Sequence, residues 1–291
     1  MKIGIIYPQI ELQGDPEAVR RIGLATESLG YDHLLTYDHV LGATHDREPK
    51  LWGPYTEQHP FHDPFVMFAY LAGITQRIDF ISGILILPQR QTALVARQAA
   101  DLDLLSQQRF KLGVGIGWNY VEYDALGQDF HTRGKRIEEQ IDLIRRLWTE
   151  PVVNFSGTFD KIDRAALVPK PRRNIPILMG GFADVALRRA AKIADGFIFT
   201  DAAADVFAHA ARTRELLKAE GRLEQSFDFH CNIAKAKDPQ AVVDTALRWR
   251  DSGGTQTSVS TMGQRMTTID QHIDYMKRVA DALQQAGLYL S

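Results

Sequence analysis

Eight short runs rich in β-branched and aromatic residues alternate with longer amphipathic stretches, and no other feature of the chain restricts its fold as much. The runs are KIGIIYP (2–8), DHLLTYD (32–38), IDFISGILILP (78–88), RFKLGVGIG (109–117), IPILMGG (175–181), GFIFT (196–200), FDFHCNI (227–233) and TQTSVST (255–261). Such alternation predicts βα units around a parallel sheet. PEAVRRIGLATESLG shows the helical half of a unit: Asp15 and Pro16 supply the N-cap and first turn, and Gly30 closes it. The other helices are expected to begin near Asp63, Thr92, Arg133, Asp184, Asp205, Pro239 and Thr268. Eight strand-helix pairs in 291 residues fit a (β/α)8 TIM barrel, whose usual length is roughly 250 residues. A doubly wound α/β sheet more often stops at five or six strands. Residues 1–291 are therefore read as one barrel domain.

Two segments exceed a minimal barrel. Residues 39–62 form a long polar and aromatic connection after the second strand, on the side where barrel active sites lie. Residues 150–174, before the fifth strand, read as a hairpin or lid around Ser156 and Gly157. Loops of this length are usually functional or mobile.

GVGIG, at residues 113–117, resembles the start of a dinucleotide-binding loop. A Rossmann fingerprint needs glycine at its sixth position and a helix opening at once. Trp118 stands at that position, the chain runs on through Asn119 and Tyr120 without a strong helix start, and no acidic residue follows a second strand as expected. That reading fails. At the end of a barrel strand, Gly113, Gly115 and Gly117 either let a flat ligand approach the backbone or relieve crowding inside a tilted strand.

Composition narrows the partners. With 34 basic against 36 acidic residues and no long run of one sign, neither nucleic acid nor an anionic membrane surface is expected. The default is a small neutral or anionic ligand. Cys231 is the only cysteine, so an internal disulfide is impossible and a reducing compartment fits. The apolar run at the N-terminus is too short for a secretory leader, and no stretch of about 18 apolar residues occurs, which points to the cytoplasm. His45, His59 and His62 with Asp63 match no ligand spacing, so no metal is expected. Trp52, Tyr55 and Phe61 are expected to wall the substrate pocket, and Trp148 to lie in the core.

The stretches TYDHVLGAT, DPFVMFAYLAGITQRIDFISGILILPQRQTALVARQAADLDLLS, RFKLGVGIGWNYVEYDALGQDFHTRGKRIEEQIDLIRRLW and PILMGGFADVALRRAAKIADGFIF, with the later TSVSTMGQ, resemble the luciferase-like monooxygenase superfamily. Within it they are similar to the branch that uses the deazaflavin coenzyme F420. The resemblance implies a small-molecule oxidoreductase that holds the ring at the barrel mouth, commonly as a homodimer. It implies a bulge with a cis peptide behind the ring at Gly83 and Ile84, and a ring contact from Asp38. It places His39 opposite the reacting carbon as a proton partner. Val114, Gly115 and Asn119 correspond to ring-lining positions, and Gly180 and Gly181 to a phosphate site at a helix start. Two departures stand out. Ile116 occupies the position that is acidic in the branch's sugar-phosphate dehydrogenases, so a glutamate acid there and a hexose phosphate substrate do not transfer. SQQR at 106–109 replaces a usual glycine pair before the arginine, at the face opposite the chemistry. The competing readings are an FMN-dependent monooxygenase on the same barrel and a non-catalytic flavin-binding protein.

Overall fold

All eight runs form strands, and their hydrogen bonding closes on itself. The computed structural model describes residues 1–288. Its elements are β1 (Lys2–Ile6), α1 (Pro16–Ser28), β2 (His33–Thr36), α2 (Pro64–Ala72), β3 (Asp79–Ser82), β4 (Leu85–Ile86), α3 (Thr92–Leu105), β5 (Phe110–Gly115), α4 (Tyr120–Ala125), α5 (Arg133–Thr149), β6 (Val153–Ser156), β7 (Lys161–Ala165), β8 (Ile177–Gly180), α6 (Asp184–Ile193), β9 (Gly196–Thr200), α7 (Val206–Ala219), β10 (Asp228–Ile233), α8 (Pro239–Asp251), β11 (Gln256–Ser260) and α9 (Ile269–Gln285). The parallel order β3-β2-β1-β11-β10-β9-β8-β5 is closed by pairing of β3 with β5. β4 continues the third barrel strand, pairing Leu85 with Val114 and Ile86 with Gly115. This is an α/β TIM barrel.

Because side chains alternate along each strand, the barrel carries two separate apolar sets. The outward set, including Ile3, Ile5, Leu34, Phe80, Leu112, Val114 and Phe199, packs beneath the helices. The inward set is a small cluster of Ile6, Leu35, Ile81, Leu178 and Ile198 near the C-terminal mouth, bordered by Tyr37, Ile84 and Met262. Deeper in, the interior becomes polar. His33 and His230 each share Ser258 Oγ through Nε2 at 2.7 Å, and Lys111 pairs with Asp228 at 2.7 Å.

Helix starts follow the expected caps. Asp15, Asp63, Asp205 and Asp238 accept backbone N–H groups of their own first turns, and Thr268 with Gln271 forms a reciprocal capping box. Such a cap contributes about 1 kcal/mol. Residues 153–165 form the expected hairpin, β6 against β7. Its tip is held by the Glu139 carboxylate, which accepts from the N–H groups of Thr158, Phe159 and Asp160.

At the opposite face, Gln107 and Gln108 take left-handed conformations with φ of 58° and 68°. The following Arg109 donates to Ser106 O, Thr75 Oγ1 and the carbonyls of Ala72, Thr75 and Ile78, tying this turn to the end of α2. Among the described residues no helix is long and apolar enough to cross a membrane, and no cluster of three His, Cys, Asp or Glu side chains is arranged to hold a metal.

One expectation is overturned. A helix does open directly after GVGIGW: α4 begins at Tyr120, with Asn119 Oδ1 accepting from Val121 N–H at 3.1 Å. The barrel topology still excludes the Rossmann reading, since the strand before α4 belongs to a closed ring.

Candidate active site

Three consecutive residues after β2 are anchored to three different elements, and this fixes the rim. Tyr37 exchanges backbone hydrogen bonds with the buried carboxamide of Gln9, at 2.9 and 3.2 Å. Asp38 accepts from Ile86 N–H at 2.9 Å and from Arg90 Nη2 at 2.7 Å, and Arg90 also reaches Asp63 at 3.1 Å. Burial pushes the Asp38 carboxyl above its ordinary value, with the Arg90 guanidinium pulling the other way. His39 Nδ1 lies 3.0 Å from Glu122 Oε2 on α4.

Asp38 therefore has both oxygens committed to the third barrel strand and its flank. It holds the segment after Gly83–Ile84, whose peptide bond is cis at the position implied by the resemblance. A ring contact from Asp38 would compete with those bonds. Asn119 is equally committed: Oδ1 caps α4 and Nδ2 donates to Leu41 O at 3.2 Å. Asn119 is also buried, so the expected contact with a ring edge is limited to the one N–H and one lone pair that these bonds leave over. Val114 is corrected more simply. It is fully buried in the outward set, so its side chain faces the helices.

The glycines resolve into two kinds. Gly113 relieves crowding, because an added Cβ would fall 1.9 Å from Ser82 O. Gly115 and Gly180 make room for Ile84, whose Cδ1 and Cγ2 would lie 2.6 and 2.8 Å from their added Cβ atoms. The space framed by residues 83, 115 and 180 is thus filled by the Ile84 side chain. A flat heterocycle at this end of the barrel would meet the Ile84 side chain and not the backbone of the glycines. Gly181 leads into α6, where the N–H groups of Phe182 and Ala183 have no acceptor among the described residues and no side chain caps the helix. Such groups suit an anionic oxygen. The nearby Asp184 charge is met by Arg188 and Arg212.

An aromatic cage surrounds His39. Phe61, Tyr55 and Trp118 stand edge-on to the imidazole with centroids at 4.9, 5.4 and 5.5 Å. Of the three aromatic residues expected to wall a pocket, Tyr55 and Phe61 lie against His39 and against each other. Trp52 does not: it is 74% exposed. Trp118 replaces it, packed so closely on Gly53 that a Cβ there would lie 2.4 Å from the indole. His45 and His59 are used locally, against Tyr55 O and Thr56 N–H. The His39 side chain is only 7% exposed, and its Nε2 has no partner among the described residues.

Glu122 escaped the sequence reading, as did α4. The signal was present in N-Y-V-E at 119–122, the N-cap-to-N3 spacing of a helix start. Burial is the largest influence on Glu122 and raises its pKa, yet the hydrogen bond and charge of His39, with donors from Leu41 and Gln89, hold it below the ordinary carboxylate value.

The family described as luciferase-like monooxygenase matches residues 3–288. An uncharacterized protein of Mycobacterium tuberculosis is 34% identical over 243 residues, 81% of this chain and 82% of that protein. Among solved structures, the monooxygenase RslO1 from Streptomyces bottropensis superposes with a TM-score of 0.81 at 19% identity, covering 98% of this chain and 99% of that one. An F420-dependent secondary alcohol dehydrogenase bound to an F420-acetone adduct gives 0.78 at 16%, covering 97% and 98%. At these identities the structural likeness establishes the fold.

Proposed function

The chain belongs to the luciferase-like monooxygenase family, and from that premise we propose that it is a cytoplasmic, one-domain oxidoreductase that uses coenzyme F420 on a small organic substrate at the barrel mouth. The observation that carries this reading is the state of His39. One ring nitrogen is anchored to a buried carboxylate and the other has no protein partner, within an aromatic cage of Tyr55, Phe61 and Trp118. That arrangement suits a group exchanging a proton with a substrate oxygen as hydride moves.

Ile84 would support the flat ring, with Gly83, Gly115 and Gly180 giving that side chain its space. The start of α6 after Gly181 would take an anionic tail through the N–H groups of Phe182 and Ala183. When bound, F420 supplies hydride chemistry at its C5 position. The protein's own contribution is orientation, exclusion of water by Tyr55, Phe61 and Trp118, and a proton held or accepted at His39. A homodimer belongs to the proposal: α2 leaves Val66 and Tyr70 exposed and α3 leaves Leu94, an apolar face suited to a second copy.

The second reading is an FMN-dependent monooxygenase, supported by the family description and by the likeness to a monooxygenase. A His39→Ala variant tests the first against a protein that only sequesters a flavin. Turnover should fall by about 10²–10⁴-fold, the usual contribution of a positioned acid or base, with cofactor affinity retained. Undiminished turnover would remove His39 from the chemistry.

A further inference from the structure

The buried Glu122 carboxylate does more than fill space behind the rim. Its Oε1 accepts the backbone N–H groups of Val40 at 2.7 Å and Leu41 at 3.0 Å. Its Oε2 faces Gln89 Nε2 at 3.4 Å and His39 Nδ1 at 3.0 Å. Amide N–H groups only donate, so Oε1 is an acceptor whatever the protonation state of the pair. The location of the single proton between Oε2 and Nδ1 then decides which tautomer His39 adopts. A second donor on Oε2, from Gln89, stabilises that oxygen without a proton.

We infer that Glu122 is a positioning residue that keeps the His39 proton on Nδ1, so that Nε2 carries the free lone pair and is the atom that takes the substrate's proton. This rests on His39 being the proton partner proposed above. The same carboxylate fixes the first turn of the 39–62 connection through Val40 and Leu41, so imidazole and loop share one anchor. The other ionisable groups facing the imidazole offer no rival. Tyr55 stands edge-on, its hydroxyl pushed up to about 12 by burial. In the adjacent set, Arg90 is already shared between Asp38 and Asp63.

Glu122→Gln gives a specific outcome. The carboxamide oxygen must stay on the Val40 and Leu41 N–H groups, so its NH₂ falls beside His39 Nδ1 and donates to it. The imidazole proton is then forced onto Nε2. In ¹⁵N-histidine protein at about pH 8, above the ordinary imidazole range, long-range ¹H–¹⁵N correlations should show wild-type His39 protonated at Nδ1 and the variant at Nε2. The His39 signals are identified by their loss in His39→Ala. Turnover of Glu122→Gln should drop by about 10²–10⁴-fold with F420 affinity within a few-fold of wild type. A wild-type imidazole protonated at Nε2 would overturn the inference even if the variant failed to fold, and so would an unchanged tautomer in the variant. Failure of wild-type protein to bind F420 would instead overturn the cofactor reading, leaving the tautomer result to decide the role of Glu122.

Discussion

Gly113 and Gly115 stand two residues apart on one strand, yet what surrounds them differs. At Gly113 an added methyl would strike a backbone carbonyl that is itself part of the barrel, and Ser82 Oγ already bridges Gly113 N and O at 2.9 and 2.8 Å. At Gly115 it would press on the Ile84 side chain, at 2.6 Å from Cδ1 and 2.9 Å from Cγ1, and reach the Gly180 carbonyl only at an ordinary 3.4 Å. Gly113→Ala should therefore lose about 1–3 kcal/mol of stability, the range for overpacked cores. Gly115→Ala should unfold close to wild type but bind cofactor more weakly, because Ile84 must shift within the floor. Urea denaturation and a binding titration on both variants check this, and equal stability losses would contradict the separation. The sequence left both readings of these glycines open, since spacing records a missing side chain and not what stands in its place. For the same reason the sequence marks Asp38 and Asn119 as polar residues at strand ends but does not show their partners, Ile86 and Arg90 for one and Val121 and Leu41 for the other.

At the level of elements, strands and long helices were legible because each carries a local signal: an apolar run, or a capping residue before a periodic stretch. Asp63, Asp205 and Thr268 each cap the helix expected from them. The short α4 was not, because six residues give too little periodicity, and with it went Glu122. The Gln107–Gln108 turn shows the converse case, an element that forms despite its residues. Left-handed backbone costs a non-glycine residue roughly 1–2 kcal/mol, partly offset by the greater unfolded-state freedom that glycine would bring. Gln108→Gly should stabilise the protein by up to about 1 kcal/mol and leave cofactor binding unchanged, since the turn lies at the face away from the mouth. Thermal unfolding of the variant checks this, and a lower midpoint would show that the glutamine side chain contributes something the backbone argument omits.

For the molecule as a whole, the polar layer inside the barrel sets a pH dependence of stability. Burial, reinforced by neighbouring charge including Lys111, pushes His33 well below the ordinary imidazole value and His230 down to about 3. Both are neutral in the folded protein, whereas the unfolded chain takes up their protons near the ordinary value of about 6.5. Unfolded protein thus binds more protons across that interval. Their contribution is fully present above about 6.5 and is lost progressively as pH falls toward about 3. Urea midpoints should drop between pH 7 and pH 5, and His230→Asn should reduce the drop; a flat wild-type profile would contradict it. The central claim concerns the other end of the same barrel, that the Ile84 floor and His39 receive a deazaflavin. A parallel titration of the purified protein with F420 and with FMN, followed by fluorescence quenching, tests it most directly. The account predicts saturable F420 binding, retained in His39→Ala and weakened in Gly115→Ala, with FMN bound more weakly; tighter FMN binding accompanied by oxygen-dependent turnover would contradict it.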